Sequence, residues 1–210
     1  EIDGRFGPAT KWAVEWFQEV SGSAVDGVVG PVTWDKLVEP VKKCLLRRNE
    51  PQAFEVEVIQ TAWWYCEVGA REIGGENQGP WVRLFCKSQE GLPWCAAFVS
   101  WVICQTLIDL KIDRDAWPIH WTMSCDDLAE SALSRGRAEL VSDSLDGVTG
   151  GSLFFRRTQQ GSNRRYNHVG FVCERDLEHG TFTTFEGNTS NAVKQKVRAA
   201  EGYDFLTLKV

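Results

Sequence analysis

Apolar residues recur at helical spacing through the first two thirds of the chain and alternate in short runs after it. Ala13, Trp16, Phe17 and Val20 stand at i, i+3, i+4 and i+7, one face of a helix. Trp34 and Leu37 begin a shorter helix. Ile59, Ala62, Trp63 and Cys66 make a further stripe, and Cys95, Phe98, Val99 and Val102 another. Residues 69–91 are rich in glycine and read as a loop with a short helix near 81–86. Ser124 and Asp127 have the spacing of a capping box before a helix over 126–134. Past Gly150 the pattern becomes β, with strands expected at 152–156, 168–174, 181–186, 195–199 and 205–210. Helices first and strands after predict an α+β domain with an antiparallel sheet.

The first forty residues contain an echo. Asp3-Gly4-Arg5-Phe6-Gly7-Pro8-Ala9-Thr10 and Asp26-Gly27-Val28-Val29-Gly30-Pro31-Val32-Thr33 are both D-G-x-x-G-P-x-T. Glycine allows a tight turn, proline suits a first helical turn, and threonine can cap backbone donors. With the A-V-x-x-F-Q helix (Ala13, Val14, Phe17, Gln18) and Leu37, this segment resembles the small helical peptidoglycan-binding domain found beside many cell-wall hydrolases. That family usually has another helix before the first turn, which is absent here. The expected organisation is a partial module at 1–40, a linker at 41–52 carrying a K-K-x-x-x-R-R cluster, and a larger domain at 53–210. The chain opens at Glu1 inside this pattern and reads as a fragment of a longer product.

Composition narrows the function. With 210 residues, a net charge of −6 and 43% hydrophobic residues, the chain is an ordinary globular protein, and its acidity disfavours nucleic acid as a partner. No apolar run reaches the ~18 residues of a membrane-spanning helix, so no membrane insertion is expected. A monomer is expected. The seven cysteines are odd in number, scattered and without a C-x-x-C pair. They read mostly as buried thiols, with neither a disulfide framework nor a structural zinc site. The histidines His120, His168 and His179 form no metal-binding spacing, and no cofactor or metal is expected. His120 reads as part of an aromatic turn and His179 as a hairpin tip.

Chemistry then has few places to live. Cys95 follows Pro93 at a helix start, where the dipole and free N–H groups favour a thiolate and can hold an oxyanion. Cys125 competes, because Ser124 can cap a helix that begins there. A thiolate needs a base, and His168 at the head of an apolar strand is the best partner. Glu186 and Asn188, two apart on the next strand, are candidates to orient the imidazole. A cysteine on a helix with its partners on a sheet is the papain-like layout.

The strings Glu72-Ile73-Gly74-Gly75-Glu76-Asn77-Gln78-Gly79-Pro80, Pro93-Trp94-Cys95-Ala96-Ala97-Phe98-Val99-Ser100-Trp101, Asn167-His168-Val169-Gly170-Phe171-Val172 and Glu186-Gly187-Asn188-Thr189 resemble the CHAP family, the cysteine, histidine-dependent amidohydrolases/peptidases. The likeness runs from residue 53 to about 205. It implies a papain-like fold of helices packed on an antiparallel sheet, and hydrolysis of an amide bond in peptidoglycan. Cys95 would be the nucleophile, His168 the base, Glu186 or Asn188 the orienting group, and Gln89 a candidate oxyanion donor. Two departures stand out: Gly151-Ser152 replaces the family's frequent Gly-Asp, and Asp113-Arg114-Asp115 is too sparse for a calcium loop. The implied protein is an endolysin- or autolysin-like amidase or endopeptidase acting at the bacterial wall, secreted or phage-encoded. The rival readings are a non-catalytic wall-binding protein and a Cys–His amidase or acyltransferase on another substrate.

Overall fold

In a computed structural model, residues 4–45, 52–159 and 161–210 are described; they fall into two compact units, one within residues 1–49 and one within 50–210. The smaller unit holds α1 (Pro8–Val20) and α2 (Pro31–Leu45), each opened by the proline of its repeat. Its centre is polar. Gln18 is buried, its Oε1 accepts from the N–H groups of Asp26 and Gly27, and its Nε2 donates to Asp26, to the Val28 carbonyl and to Thr33 Oγ1. One glutamine thus supplies the partners that the second D-G turn needs. The buried face of α1 is therefore Val14 and Gln18; the apolar stripe read from spacing leaves Trp16 and Val20 exposed and Phe17 half-buried. Thr33 serves this network by receiving the Gln18 amide. Helix α2 runs through Pro40 to Leu45, so the start of the segment read as a linker is helical. Asp3 and the basic pair Arg47-Arg48 lie outside the described residues.

The larger unit is α+β, as expected. Helices α3 (Phe54–Glu67), α4 (Pro80–Phe85), α5 (Cys95–Asp109) and α6 (Cys125–Ser134) precede a six-stranded antiparallel sheet ordered β1-β6-β2-β3-β4-β5. The strands are β1 (Ala138–Ser142), β2 (Leu153–Arg157), β3 (Tyr166–Asp176), β4 (Thr181–Thr189), β5 (Ala192–Ala199) and β6 (Tyr203–Leu208). Strand β1 is absent from the sequence reading because its alternation is weak: half-buried Ala138 and Val141 sit among exposed Glu139, Leu140 and Ser142 on a sheet edge.

Helix α5 is the axis of this unit. Cys95 through Ser100, Val102, Ile103, Thr106 and Leu107 are all buried, which is why its sequence is apolar on every side. It packs on α3, α4, α6, β3 and β4. Phe85, Trp94 and Phe98 meet around its first turn, with Phe85 stacked on Trp94 at 5.5 Å and edge-on to Phe98 at 5.3 Å. Strand β4 reaches the helix through Gly187, where an added Cβ would stand 2.6 Å from the Phe98 Cβ.

Gly187→Ala is expected to cost about 1–3 kcal/mol through overpacking at this contact. Thermal unfolding of the variant beside the parent checks it; an unchanged Tm would mean that helix and strand are not so tightly joined.

Candidate active site

Three elements meet at the first turn of α5. Trp94 caps the helix and Cys95 is its first residue. The Trp94 ring is buried, and its Nε1 donates to Glu72 Oε1 at 2.9 Å. Glu72 also accepts the Asn77 N–H at 2.7 Å, so the Glu72–Asn77 part of the glycine-rich loop braces the residue before the thiol.

The second element is β3, which carries His168, and the third is β4, which carries Glu186. Phe171 pairs with Phe185, so Glu186 faces Gly170 one rung on and His168 lies on the same face a diagonal step away. Gly170 keeps that rung open, because a Cβ there would come within 2.7 Å of the Phe154 ring and the Phe185 carbonyl. His168 Nε2 lies 3.0 Å from Glu186 Oε2. Its other ring nitrogen, Nδ1, is then the one left for the thiol. Both side chains are buried, Glu186 completely.

A buried carboxylate costs several kcal/mol unless its charge is answered. Glu186 is answered on both oxygens. Arg198 of β5 donates from Nε to Oε1 at 2.5 Å and from Nη2 to Oε2 at 2.6 Å. Thr184 Oγ1 donates to Oε1 at 2.6 Å and Thr189 Oγ1 to Oε2 at 2.7 Å. Burial pushes the carboxyl up, but the bonds from Arg198, His168 and the two threonines outweigh it and hold Glu186 well below the usual range. For His168, burial works against the charged ring, yet the interactions with Cys95 and Glu186 prevail and raise its pKa above 6.5.

Cys95 is the one described cysteine shifted downward, well below the ordinary 9.0. The first cause is a thiol hydrogen bond from Cys125, whose Sγ lies 3.8 Å away; His168 and the Ala96 N–H add to it against burial. Cys125 is itself the first residue of α6, behind the Ser124 cap, whose Oγ accepts the Asp127 N–H. Its own pKa is raised, chiefly by the same bond to Cys95. Burial lifts Cys86 and Cys104 to about 11 and Cys173 to about 12.

The remaining sequence candidates are elsewhere. Asn188 has a left-handed backbone, φ 55°, and its side chain turns toward the loop that braces Trp94. In the amide orientation that satisfies its neighbours it donates to Glu72 Oε1 and accepts from the Trp94 N–H, each at 3.1 Å. It therefore fixes the helix cap, while Glu186 is the group on the imidazole. Gln89 lies in an exposed turn after α4 and is not among the residues lining the groove at Cys95. That groove, about 330 Å³, is bordered by Pro93, Cys95, Cys125, Arg164, Tyr166 and Asn167, among others. His179 sits in the β3–β4 turn on Asp176, and His120 is exposed. Ser152 is buried and bonds Thr207 Oγ1 and the Thr149 N–H, a structural role. Among the described residues no group of three or more His, Cys, Asp or Glu could hold a metal, and no helix is long and apolar enough to cross a membrane.

The sequence reading gives Arg198 and the two threonines no role at the site. Thr184 shares a face with Glu186 two residues on, a signal that was available; Arg198 reaches along β5 from its place opposite Phe182, which requires the register. Arg198→Ala should therefore cost roughly 3 kcal/mol or more by taking the guanidinium from a buried carboxylate. Because the depressed Glu186 pKa lends stability that is lost only as pH falls through it, removing Arg198 should also move the acid-unfolding midpoint to higher pH. Circular dichroism against pH for parent and variant checks both.

Comparison with known proteins finds two matching family models. Residues 1–37 match the family model described as "Putative peptidoglycan binding domain", and residues 87–188 match that of the CHAP domain. The chain spans less than a third of the length of the two curated relatives described next, each matched over a short segment. A zinc D-Ala-D-Ala carboxypeptidase from Streptomyces albus G is 55% identical over 38 residues, 18% of this chain and 15% of that protein. An uncharacterized protein from Kitasatospora aureofaciens is 54% identical over 37 residues, 18% of this chain and 31% of that protein. Among solved structures, an NLP/P60-family lipoprotein-like protein from Staphylococcus aureus Mu50 is 15% identical with a TM-score of 0.37, covering 91% of this chain and 62% of its own. An N-acetylmuramoyl-L-alanine amidase from Staphylococcus aureus is 14% identical with a TM-score of 0.36, covering 97% of this chain and 52% of its own. This chain, then, carries a CHAP domain at residues 87–188 behind a peptidoglycan-binding domain at residues 1–37.

Proposed function

We propose that the protein is a peptidoglycan hydrolase that cleaves an amide bond of the cell wall with Cys95 as nucleophile. The observation that carries the reading is the alignment of Cys95 at a helix start with His168 and a buried, ionised Glu186. Cys95 attacks the amide carbonyl as a thiolate, and His168, protonated, donates to the leaving amine. A water, deprotonated by the now neutral imidazole, then attacks the thioester and releases the acid. Glu186 keeps Nε2 engaged so that Nδ1 faces the sulfur. The Cys95 N–H, one of the donors at the start of α5, is suited to the oxyanion.

The matched module supports peptidoglycan as the partner. Its exposed Trp12, Trp16 and Trp34 offer ring faces of the kind on which sugars stack. An endolysin or autolysin, released at lysis or secreted, fits this pairing of domains.

Incubation with purified peptidoglycan is expected to release new amino groups, and Cys95→Ala to abolish the release; mass spectra of the fragments separate a muramoyl-alanine amidase from a stem or crossbridge endopeptidase. Full activity in Cys95→Ala would sink the mechanism. The pH profile of kcat/KM should be bell-shaped, with the acid limb set by thiolate protonation and the alkaline limb by loss of the His168 proton. Glu186→Gln removes a group that raises His168, so the alkaline limb should move to lower pH. A limb that stays in place would mean that Glu186 does not act on the imidazole.

A further inference from the structure

Cys125 is a nucleophilic group that the proposed reaction leaves unused. Its sulfur lies 3.8 Å from that of Cys95, and this is the one thiol–thiol hydrogen bond among the described residues. A disulfide needs about 2.05 Å, so the two sulfurs have to approach by roughly 1.8 Å, a side-chain adjustment. The placement of Cys125 is built from both sides. Thr122, three residues earlier, accepts from Ser100 Oγ of α5 at 2.9 Å and donates its own N–H back to the same oxygen at 3.2 Å. Asp126, one residue later, accepts the N–H groups of Arg165 at 3.2 Å and Tyr166 at 2.8 Å, at the head of β3. Cys125 is thus tied to the helix that carries Cys95 and to the strand that carries His168. Both sulfurs border the same open groove, so a small oxidant reaches them.

We propose that Cys95 and Cys125 form a reversible oxidation site, in which a hydroperoxide converts the pair to a disulfide and a dithiol restores it. The inference rests on Cys95 being the nucleophile in so far as the disulfide then blocks hydrolysis. In the first step the Cys95 thiolate attacks the O–O bond; that bond breaks, the sulfur takes one oxygen as a sulfenic acid, and the other oxygen leaves and is protonated to water or alcohol. In the second step the Cys125 sulfur attacks the Cys95 sulfur. The S–O bond breaks, the S–S bond forms, and the hydroxide leaves as water with the Cys125 proton. Two thiols and one hydroperoxide give one disulfide and two hydroxylic products. The order of events follows from the pair itself: Cys125 keeps its proton and donates it to Cys95, so Cys95 meets the oxidant. Once Cys95 carries oxygen, the thiolate that held the Cys125 pKa up is gone, and Cys125 becomes the resolving thiol.

The test treats the full chain with hydrogen peroxide and follows two readouts, non-reducing peptide mapping and wall hydrolysis. The parent should lose the mass of two hydrogen atoms, yield one cross-linked peptide pair joining Cys95 to Cys125, and lose activity by about tenfold or more, with dithiothreitol restoring it to within about twofold. Cys125→Ser, compared with its own untreated activity, should give no cross-link, carry sulfinate or sulfonate at Cys95 and fail to recover. A parent that goes to sulfinate without a bridge overturns the proposal, as does a Cys125→Ser protein that recovers like the parent. If Cys125→Ser does not fold, the parent's peptide map decides alone. A bridge that forms while hydrolysis continues keeps the oxidation site and instead refutes Cys95 as the nucleophile.

Discussion

A carboxylate with no contact with solvent survives as an anion only when donors surround it, and Glu186 sits at the point where that requirement organises the site. Its two oxygens take five hydrogen bonds from four residues on three strands: Thr184 and Thr189 on β4, Arg198 (twice) on β5 and His168 on β3. If the charge were lost, His168 would lose a partner that favours its protonated form. If Arg198 were misplaced, the carboxylate would lose its two bonds to a permanent cation and keep only the imidazole and the two threonines. The register of β3, β4 and β5 is thus a chemical requirement as well as a packing one, because a one-residue slip sends Glu186 to the opposite face.

The nucleophile reaches this carboxylate–imidazole pair only because a helix start is pressed against the sheet. Two glycines make that possible, each beside a functional residue. Gly187 follows Glu186 and lets β4 touch Phe98 of α5; Gly170 stands two residues after His168 and leaves its rung free of a side chain. The close approach places the unpaired N–H groups of the α5 first turn beside the sulfur, where they stabilise negative charge. It also sets the burial of α5: residues 95–100 are all buried, Trp101, Cys104 and Gln105 are half-buried, and Ile108 and Asp109 in the last turn are exposed, so the functional end of the helix is its enclosed one.

Local patterns made much of this legible. Cys95 as a helix start, the capped α6 and five of the six strands follow from spacing and turn chemistry in the sequence. Where spacing failed, a polar residue or a sheet edge had overridden it. In α1 the buried position belongs to Gln18, which matches a turn eight residues on, so the most apolar stripe is not the inward one. Strand β1 is hidden by its exposed edge. Asn188 shares strand parity with Glu186, yet its left-handed backbone swings the amide toward Trp94 and Glu72, which no periodicity argument contains. Arg198 is legible only after pairing is known, since its partner on the same rung is Phe182 and its chemical partner is Glu186.

Two helix starts facing one another give the site a property that follows from its own electrostatics. The thiol hydrogen bond from Cys125 is the first contributor to the low pKa of Cys95. A sulfur so stabilised favours the thiolate form, and it gives up part of its intrinsic nucleophilicity in exchange. The imidazolium and the α5 donors favour the thiolate as well, and the second thiol, besides its part in ionisation, bears on the fate of an oxidised sulfur. Ser100 and Asp126 hold that second thiol to the same helix and strand that carry Cys95 and His168, and the spacing of the two sulfurs is therefore fixed by the framework that fixes the rest of the site.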